Sequence, residues 1–197
     1  MTKKFMGAVL CAVMIAASAA CSAQPPGSPS GTVTYRADYP SYQTLEDLAQ
    51  RADLVVRGTV TSTRVAAIND AIQPTSSDPK ANPGGDTPAS TSVYTVYTIS
   101  VTDVYKGAVP ASKTIEVKDL GGTLNGVTYV SEDSVNFKPN KKYILFLETY
   151  PQSPAMLLNP VQASFSGDTD AQGNYPGTNP KNTLKLPPGQ LKKLFGK

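Results

Sequence analysis

Residues 92–107 read SVYTVYTISVTDVYKG, and their periodicity decides the fold class. Tyr97, Ile99 and Val101 fall on one side of an extended chain, and Tyr94, Val96 and Thr98 on the other. An alternation of two in β-branched and aromatic residues is the pattern of a strand. Between Val101 and Val104 it slips by one residue, as an inserted bulge residue makes it do.

Upstream, LVVRGTVTS (54 to 62) alternates in the same way, with Leu54, Val56, Gly58 and Val60 on one face. Gly58 in mid-strand is where a strand bends around a barrel corner. Before it, Thr44 caps a short helix with Glu46 and Asp47 in the first turn and Leu45, Leu48, Ala49 and Ala52 at helical spacing, ending near Asp53. Residues 66–92 hold Pro74, Pro79, Pro83, Pro88 and Gly84-Gly85, which predicts a long mobile loop.

Downstream, TIEVKDL (114 to 120) predicts a strand that Gly121-Gly122 kinks, and Asn125-Gly126 marks a two-residue hairpin turn. KKYILFLETY (141 to 150) is apolar on both faces around Ile144–Leu147 and predicts a central strand. MLLNPVQASFSGD (156 to 168) and NTLKL (182 to 186) predict two more. Pro187-Pro188 opens a final short helix with Leu191, Leu194 and Phe195 inward.

Strands joined by hairpins, a bulge, a glycine bend and short helices at either end predict a mainly β chain: a small antiparallel OB-like barrel over residues 43–197. The series Leu54–Val60, Tyr94–Tyr97 running to Val104–Gly107, Gly121–Gly126 and Phe137–Leu147 resembles a family of exported bacterial proteins, many of them lipoproteins, without an assigned activity. Its barrel is similar to the OB-like fold of the tissue inhibitors of metalloproteinases and netrin-like modules. The resemblance spans roughly residues 44 to 195 without the 66–92 loop and rests on apolar, glycine and turn positions, so it implies a fold rather than a site. The inhibitors' use of a disulfide-held amino-terminal cysteine to bind zinc does not carry over, because Cys21 has no disulfide partner.

Residues 1–20 combine Lys3 and Lys4, an apolar run from Phe5 to Ala17 and the small residues Ser18-Ala19-Ala20. This is the layout of a secretory signal peptide, too short for a membrane span of about 20 residues. Small residues before Cys21 resemble the lipobox of bacterial lipoproteins, in which the cysteine becomes the lipid-bearing amino terminus; Ser18 departs from that pattern's large aliphatic residue. Ordinary cleavage near Ala20 or Ala23, releasing a secreted protein, is the alternative. Residues 21–42, rich in Pro, Gly and Ser, predict a flexible tether, of which the 20 residues Ser22 to Ser41 reach up to roughly 60 Å at about 3.3 Å per residue.

The chain has no histidine, and its two cysteines, Cys11 and Cys21, both precede the barrel. That excludes a disulfide framework, a cysteine nucleophile, a Ser-His-Asp triad and a His/Cys zinc site in the domain. The formal charge of +3 includes Lys3 and Lys4; without them 16 Lys plus Arg face 15 Asp plus Glu, or +1. A nearly neutral exported chain does not suggest nucleic-acid binding. No acidic residue follows Asp170, while Lys181, Lys185, Lys192, Lys193 and Lys197 do, which reads as a solvated face or a patch toward anionic lipid or wall polymer.

Three constellations are candidate sites. Asp168-Thr-Asp170 before Gly173 begins like a calcium loop but has no glutamate at the twelfth position, so a polar turn is the stronger reading. Glu132-Asp133 is a carboxylate pair whose neighbours in an extended chain point to opposite sides. Tyr94, Tyr97, Tyr105, Tyr129 and Tyr143 offer a ligand face of the kind OB folds use, or ordinary strand material. The expected role is a cofactor-free binding or interaction module held at the outer membrane face by lipidated Cys21, with an extracytoplasmic protein or polymer as partner. The alternatives are inhibition of a secreted enzyme, or a wall-polymer hydrolase using carboxylates or a Ser-Lys pair.

Overall fold

The computed structural model describes residues 30–70 and 90–196. In chain order the elements are β1 (Gly31–Tyr35), α1 (Leu45–Arg51), β2 (Leu54–Asn69), β3 (Thr91–Lys106), β4 (Thr114–Leu120), β5 (Gly122–Leu124), β6 (Val127–Ser131), β7 (Lys142–Tyr150), β8 (Ser153–Leu157), β9 (Ser164–Ser166) and α2 (Gln190–Phe195). Strands β2, β3, β4, β8 and β7 hydrogen-bond in that order, and β7 pairs back onto β2, so five strands close a ring. This is the small OB-like barrel that the sequence predicts. One junction departs from a purely antiparallel barrel: β4 and β8 run parallel at Val117↔Ala155 and Lys118↔Met156.

Ring closure falls on β2, which pairs with β7 from Leu54 to Thr59 and with β3 along its length. The β2–β3 register shifts between Val55 and Val56, between Arg57 and Gly58, and between Val60 and Ser62. The middle shift leaves Thr102 as the extra residue between Val101 and Asp103, where the alternation of β3 slips. Extra residues of this kind raise local twist and bend the strand. Gly58 lies at that bend against the neighbouring strand: a Cβ there would stand 2.6 Å from Ile99 Cγ2 and 2.7 Å from the Ser100 carbonyl oxygen.

Inside the ring, Val56, Val60, Ile99, Val117, Leu145 and Leu147 are almost wholly buried; Val55, Ile144, Phe146 and Phe165 are equally buried on the outer side of β2, β7 and β9. Phe146 and Phe165 meet edge to face at 5.9 Å. Two short helices pack beside each other, with Gln190 Nε2 of α2 donating to Glu46 Oε1 of α1 at 2.8 Å. α1 begins at the expected capping box, in which Asp47 N–H donates to Thr44 Oγ1 at 3.1 Å and Thr44 N–H to Asp47 Oδ2 at 3.2 Å. It buries Leu45, Leu48 and Ala49. α2 buries Leu191 and lays Leu194 and Phe195 against the core.

A second apolar cluster lies on the outer side of β3. Tyr94, Val96 and Leu120 are buried there, with Tyr35, Ala66 and Ile68 packed on them. The β2–β3 ribbon therefore runs past the ring, to Asn69↔Thr91. This corrects the expected loop at 66–92: Arg64, Ala66 and Ile68 alternate with Val65 and Ala67 as a strand, and the prolines start later. The remaining loop residues, 71–89, lie outside the described residues.

The tether expected over residues 21–42 is shorter in its described part. β1 pairs in parallel with β6 from Gly31↔Val127 to Tyr35↔Ser131, and Tyr35 stacks on Tyr129 at 5.7 Å. Tyr42 is clamped by Gln162: its N–H donates to Gln162 Oε1 at 2.9 Å, and Gln162 Nε2 donates to its carbonyl at 2.8 Å. A side-chain amide here supplies the two bonds that a neighbouring strand would.

Two further expectations fail because of asparagine. The run 156–168 is broken into β8 and β9, since Asn159 Oδ1 accepts the N–H groups of Val161 at 2.7 Å and Gln162 at 3.0 Å and turns the chain. The strand expected at 182–186 forms only an isolated bridge, Tyr175↔Leu186, because Leu184 N–H donates to Asn182 Oδ1 at 3.0 Å. Gly121 and Gly122 do more than kink a strand: with φ of 112° and 134° they carry the chain from the barrel into a separate sheet ordered β1-β6-β5. Asn125 and Gly126, with φ of 50° and 81°, form the expected tight turn.

The Gly58→Ala variant is expected to lose about 1–3 kcal/mol of stability, because the added carbon meets backbone as well as a side chain. Chemical denaturation monitored by tyrosine fluorescence checks this.

Candidate functional site

Pleating places Ile115, Val117 and Asp119 of β4 on the side facing the barrel interior, and Glu116, Lys118 and Leu120 on the other. Asp119 thus continues a row of core side chains with a carboxyl group. Both it and its neighbour Lys118 are about 95% buried, on opposite faces of the sheet.

The two are satisfied very differently. Lys118 Nζ donates to Asp70 Oδ1 at 2.7 Å and to Ser153 Oγ at 3.0 Å. It lies 4.8 Å from the ring centre of Tyr94 and 5.0 Å from that of Tyr150. Tyr94 Oη in turn donates to Asp70 Oδ2 at 2.6 Å. Burial, and then this bond to a carboxylate, push the Tyr94 phenol far above its ordinary range. The outer face of β3 and β4, which OB folds use for ligands, is therefore filled by the chain's own side chains.

Asp119 has no such partner: among the described residues no lysine or arginine forms an ion pair with it. Its Oδ2 accepts the N–H of Val135 at 2.9 Å. Desolvation raises its pKa to about 8, against the opposing pull of the Val135 and Leu120 N–H groups.

Above Asp119 lies a groove of about 480 Å³, where β4 leaves the barrel for the β5–β6 hairpin. Thr95, Tyr97 and Asp119 line its barrel side, Gly121, Gly122 and Tyr129 its hairpin side, and residues 134–139 the third wall. The glycines leave no room for side chains: a Cβ on Gly121 would be 2.8 Å from the Tyr129 carbonyl oxygen, and one on Gly122 2.8 Å from Thr95 Oγ1. The third wall is pinned by main-chain bonds. Besides the Val135 N–H on Asp119, the Val135 carbonyl accepts from Tyr97 Oη at 3.2 Å, and Lys138 N–H donates to Tyr143 Oη at 2.9 Å. Val135 and Phe137 point into the core while Ser134, Asn136 and Lys138 are exposed. Phe137 packs between Tyr97, at 5.1 Å, and Tyr143, at 4.5 Å.

The groups expected from sequence are distributed as follows. Tyr97 and Tyr129 line the groove, whereas Tyr143 is part of the core, Tyr94 belongs to the outer cluster and Tyr105 lies 6.3 Å from Phe195. The five tyrosines do not form one face. Glu132 and Asp133 answer separate cations on the surface, Arg36 at 3.9 Å and Lys181 at 3.4 Å. Asp170 closes its own turn: its Oδ1 accepts the N–H groups of Gln172 at 2.9 Å and Asn174 at 2.8 Å. Those bonds hold its pKa below the ordinary carboxylate value. Among the described residues no three acids, histidines or cysteines gather around a common point, Asp168 and Asp170 included. Cys21 lies outside the described residues, and among those described no helix is long and apolar enough to cross a membrane.

Asp119 and Lys118 are absent from the sequence-based candidates, although the signal is present. Continuing the alternation of Ile115 and Val117 by one step puts a carboxylate on the core face. No protein-family model matches this chain, and no curated protein matches it.

A carboxyl group whose pKa rises on folding favours the folded state most at low pH. The benefit is complete below the unfolded value near 3.8, is lost progressively as pH rises, and is gone above about 8. Asp119→Asn is therefore expected to remove a slope of about 1.4 kcal/mol per pH unit from the stability profile between pH 5 and 7. Denaturant midpoints of both proteins across that range measure it.

Proposed function

We propose that this chain is an exported binding module, tethered to the outer face of a membrane through a lipid on Cys21, that takes up a ligand in the groove above Asp119. The observation that carries the binding role is a carboxyl group kept buried, with no ion-pair partner among the described residues, beneath a groove of about 480 Å³, a size suited to a small molecule. Burying such a group without a partner costs free energy. A well-packed barrel meant only for support has no use for it at a core-facing position.

The export and anchoring part rests on the basic, apolar and small-residue layout before Cys21. The OB-like barrel accords with the resemblance to exported lipoproteins with inhibitor-like barrels. β1 begins at Gly31, so nine residues separate Cys21 from the first strand. At about 3.3 Å per residue the barrel would hang within roughly 30 Å of its anchor.

A hydrolytic role draws no support from the one Ser-Lys contact, because the Lys118 ammonium already donates to Asp70 and has no lone pair with which to take the proton of Ser153.

Intact mass of the full chain recovered from the membrane fraction of expressing cells tests the anchoring. A mass increase matching a diacylglycerol, lost together with membrane association in Cys21→Ser, is the expected result. An unmodified chain beginning near Ser22 or Gln24 in the soluble fraction overturns it.

A further inference from the structure

We infer that the groove over Asp119 is a binding site for a small organic ammonium, with the Asp119 carboxylate as counter-ion and Tyr97 and Tyr129 among its walls. This rests on the binding role proposed above and names its ligand class.

The inference follows from what Asp119 has and lacks. The bond it accepts from Val135 N–H would be met equally well by a neutral amide or hydroxyl oxygen. A carboxylate is therefore more than the fold requires. Among the described residues no cation forms an ion pair with it, Lys138 on the groove wall included, while the adjacent Lys118, equally buried, has Asp70 at 2.7 Å. A cation entering the groove supplies the missing charge.

The donor set decides which cation fits. A hard divalent ion takes six to eight oxygen ligands and usually several carboxylates. Here a single carboxylate is accompanied by aromatic rings and the side chains of Thr95 and Asn136. An alkylammonium suits that composition: its N–H groups donate to carboxylate and hydroxyl oxygens, and its cationic end and alkyl stem lie against ring faces. The bare backbone at Gly121 and Gly122 lets such a chain lie close to the hairpin wall.

Occupancy should depend on pH through Asp119. The titratable and charged groups around it are Tyr97 on β3, Tyr143 on β7, Tyr39 on the segment before α1, Asp133 after β6, and Lys138 on the groove wall. Burial and the nearby Asp119 raise both Tyr39 and Tyr97 to about 12, so both stay neutral while Asp119 titrates. Tyr39 Oη is buried without a hydrogen-bond partner among the described residues, which leaves an uncommitted hydroxyl in the electrostatic range of this carboxyl.

The test titrates the ¹⁵N-labelled full chain, in detergent micelles, with butylammonium, 1,4-diaminobutane and neutral butanol, following the amides of Gly121, Gly122 and Val135. Saturable shifts with the two amines and none with butanol are expected. Affinity should fall at least tenfold in Asp119→Asn and in Ser134→Trp, which fills the groove from an exposed position, and about tenfold for each pH unit below 8. If Asp119→Asn does not fold, Ser134→Trp and the pH series still decide. Equal shifts from butanol and butylammonium, no saturable shift with either amine, or undiminished amine affinity in Asp119→Asn would overturn the inference. Groove shifts produced by a neutral oligosaccharide and by neither amine would also overturn it, yet would leave the binding role standing. A loss of anchoring would show only in the Cys21→Ser mass experiment.

Discussion

Strand β2 must satisfy two neighbours at once, and the rest of the molecule follows from how it does so. Over Leu54–Thr59 it pairs with β7 on one edge and β3 on the other, which removes the exposed edges that a flat sheet would present. So small a ring demands sharp curvature, absorbed by the extra residues opposite Gly58 and by the missing side chain at Gly58 itself. With no cysteine after Cys21, the packed interior around Val56, Ile99 and Leu145 and the layer of Phe146 and Phe165 outside it have to hold this closure unaided.

Beyond the ring, β2 and β3 continue as a two-stranded ribbon whose outer face carries Tyr94 and Val96. That extension creates the second apolar cluster and the space into which Tyr35 of β1 packs. Lys118 is then enclosed by Tyr94 and Tyr150, and Asp70, just past the end of β2, is brought within 2.7 Å of it. The same extension, seen from its inner side, supplies Thr95 and Tyr97 to the groove. One long pairing therefore produces a buried lysine paired with a carboxylate on one face and, on the other, a buried carboxyl group whose pKa desolvation raises to about 8.

Elements carried by local chemistry are legible in the sequence: the Thr44 capping box, the Asn125-Gly126 turn, the slip in β3 and the apolar run of β7. Those carried by distant partners are not. Gly31–Tyr35 has few apolar residues, and its strand exists because β6 offers a parallel edge. Tyr42 is fixed by Gln162, 120 residues away. Asn159 and Asn182 end strands through their own side chains, an effect that hydrophobic patterning does not register. Asp119 belongs to an intermediate case. Its inward position is readable from Ile115 and Val117, but that it has no ion-pair partner among the described residues emerges only from the tertiary placement of the surrounding lysines and arginines.

The wall formed by residues 134–138 is fastened through the amide and carbonyl of Val135 and the amide of Lys138, with Val135 and Phe137 as its core anchors. The exposed Ser134 and Asn136 also border a second cavity of about 400 Å³, lined besides by Ser166, Thr178 and Asn179. Buried anchors and exposed residues thereby alternate along one short stretch, so a library randomised at 134 and 136 changes the groove wall while leaving its core anchors in place.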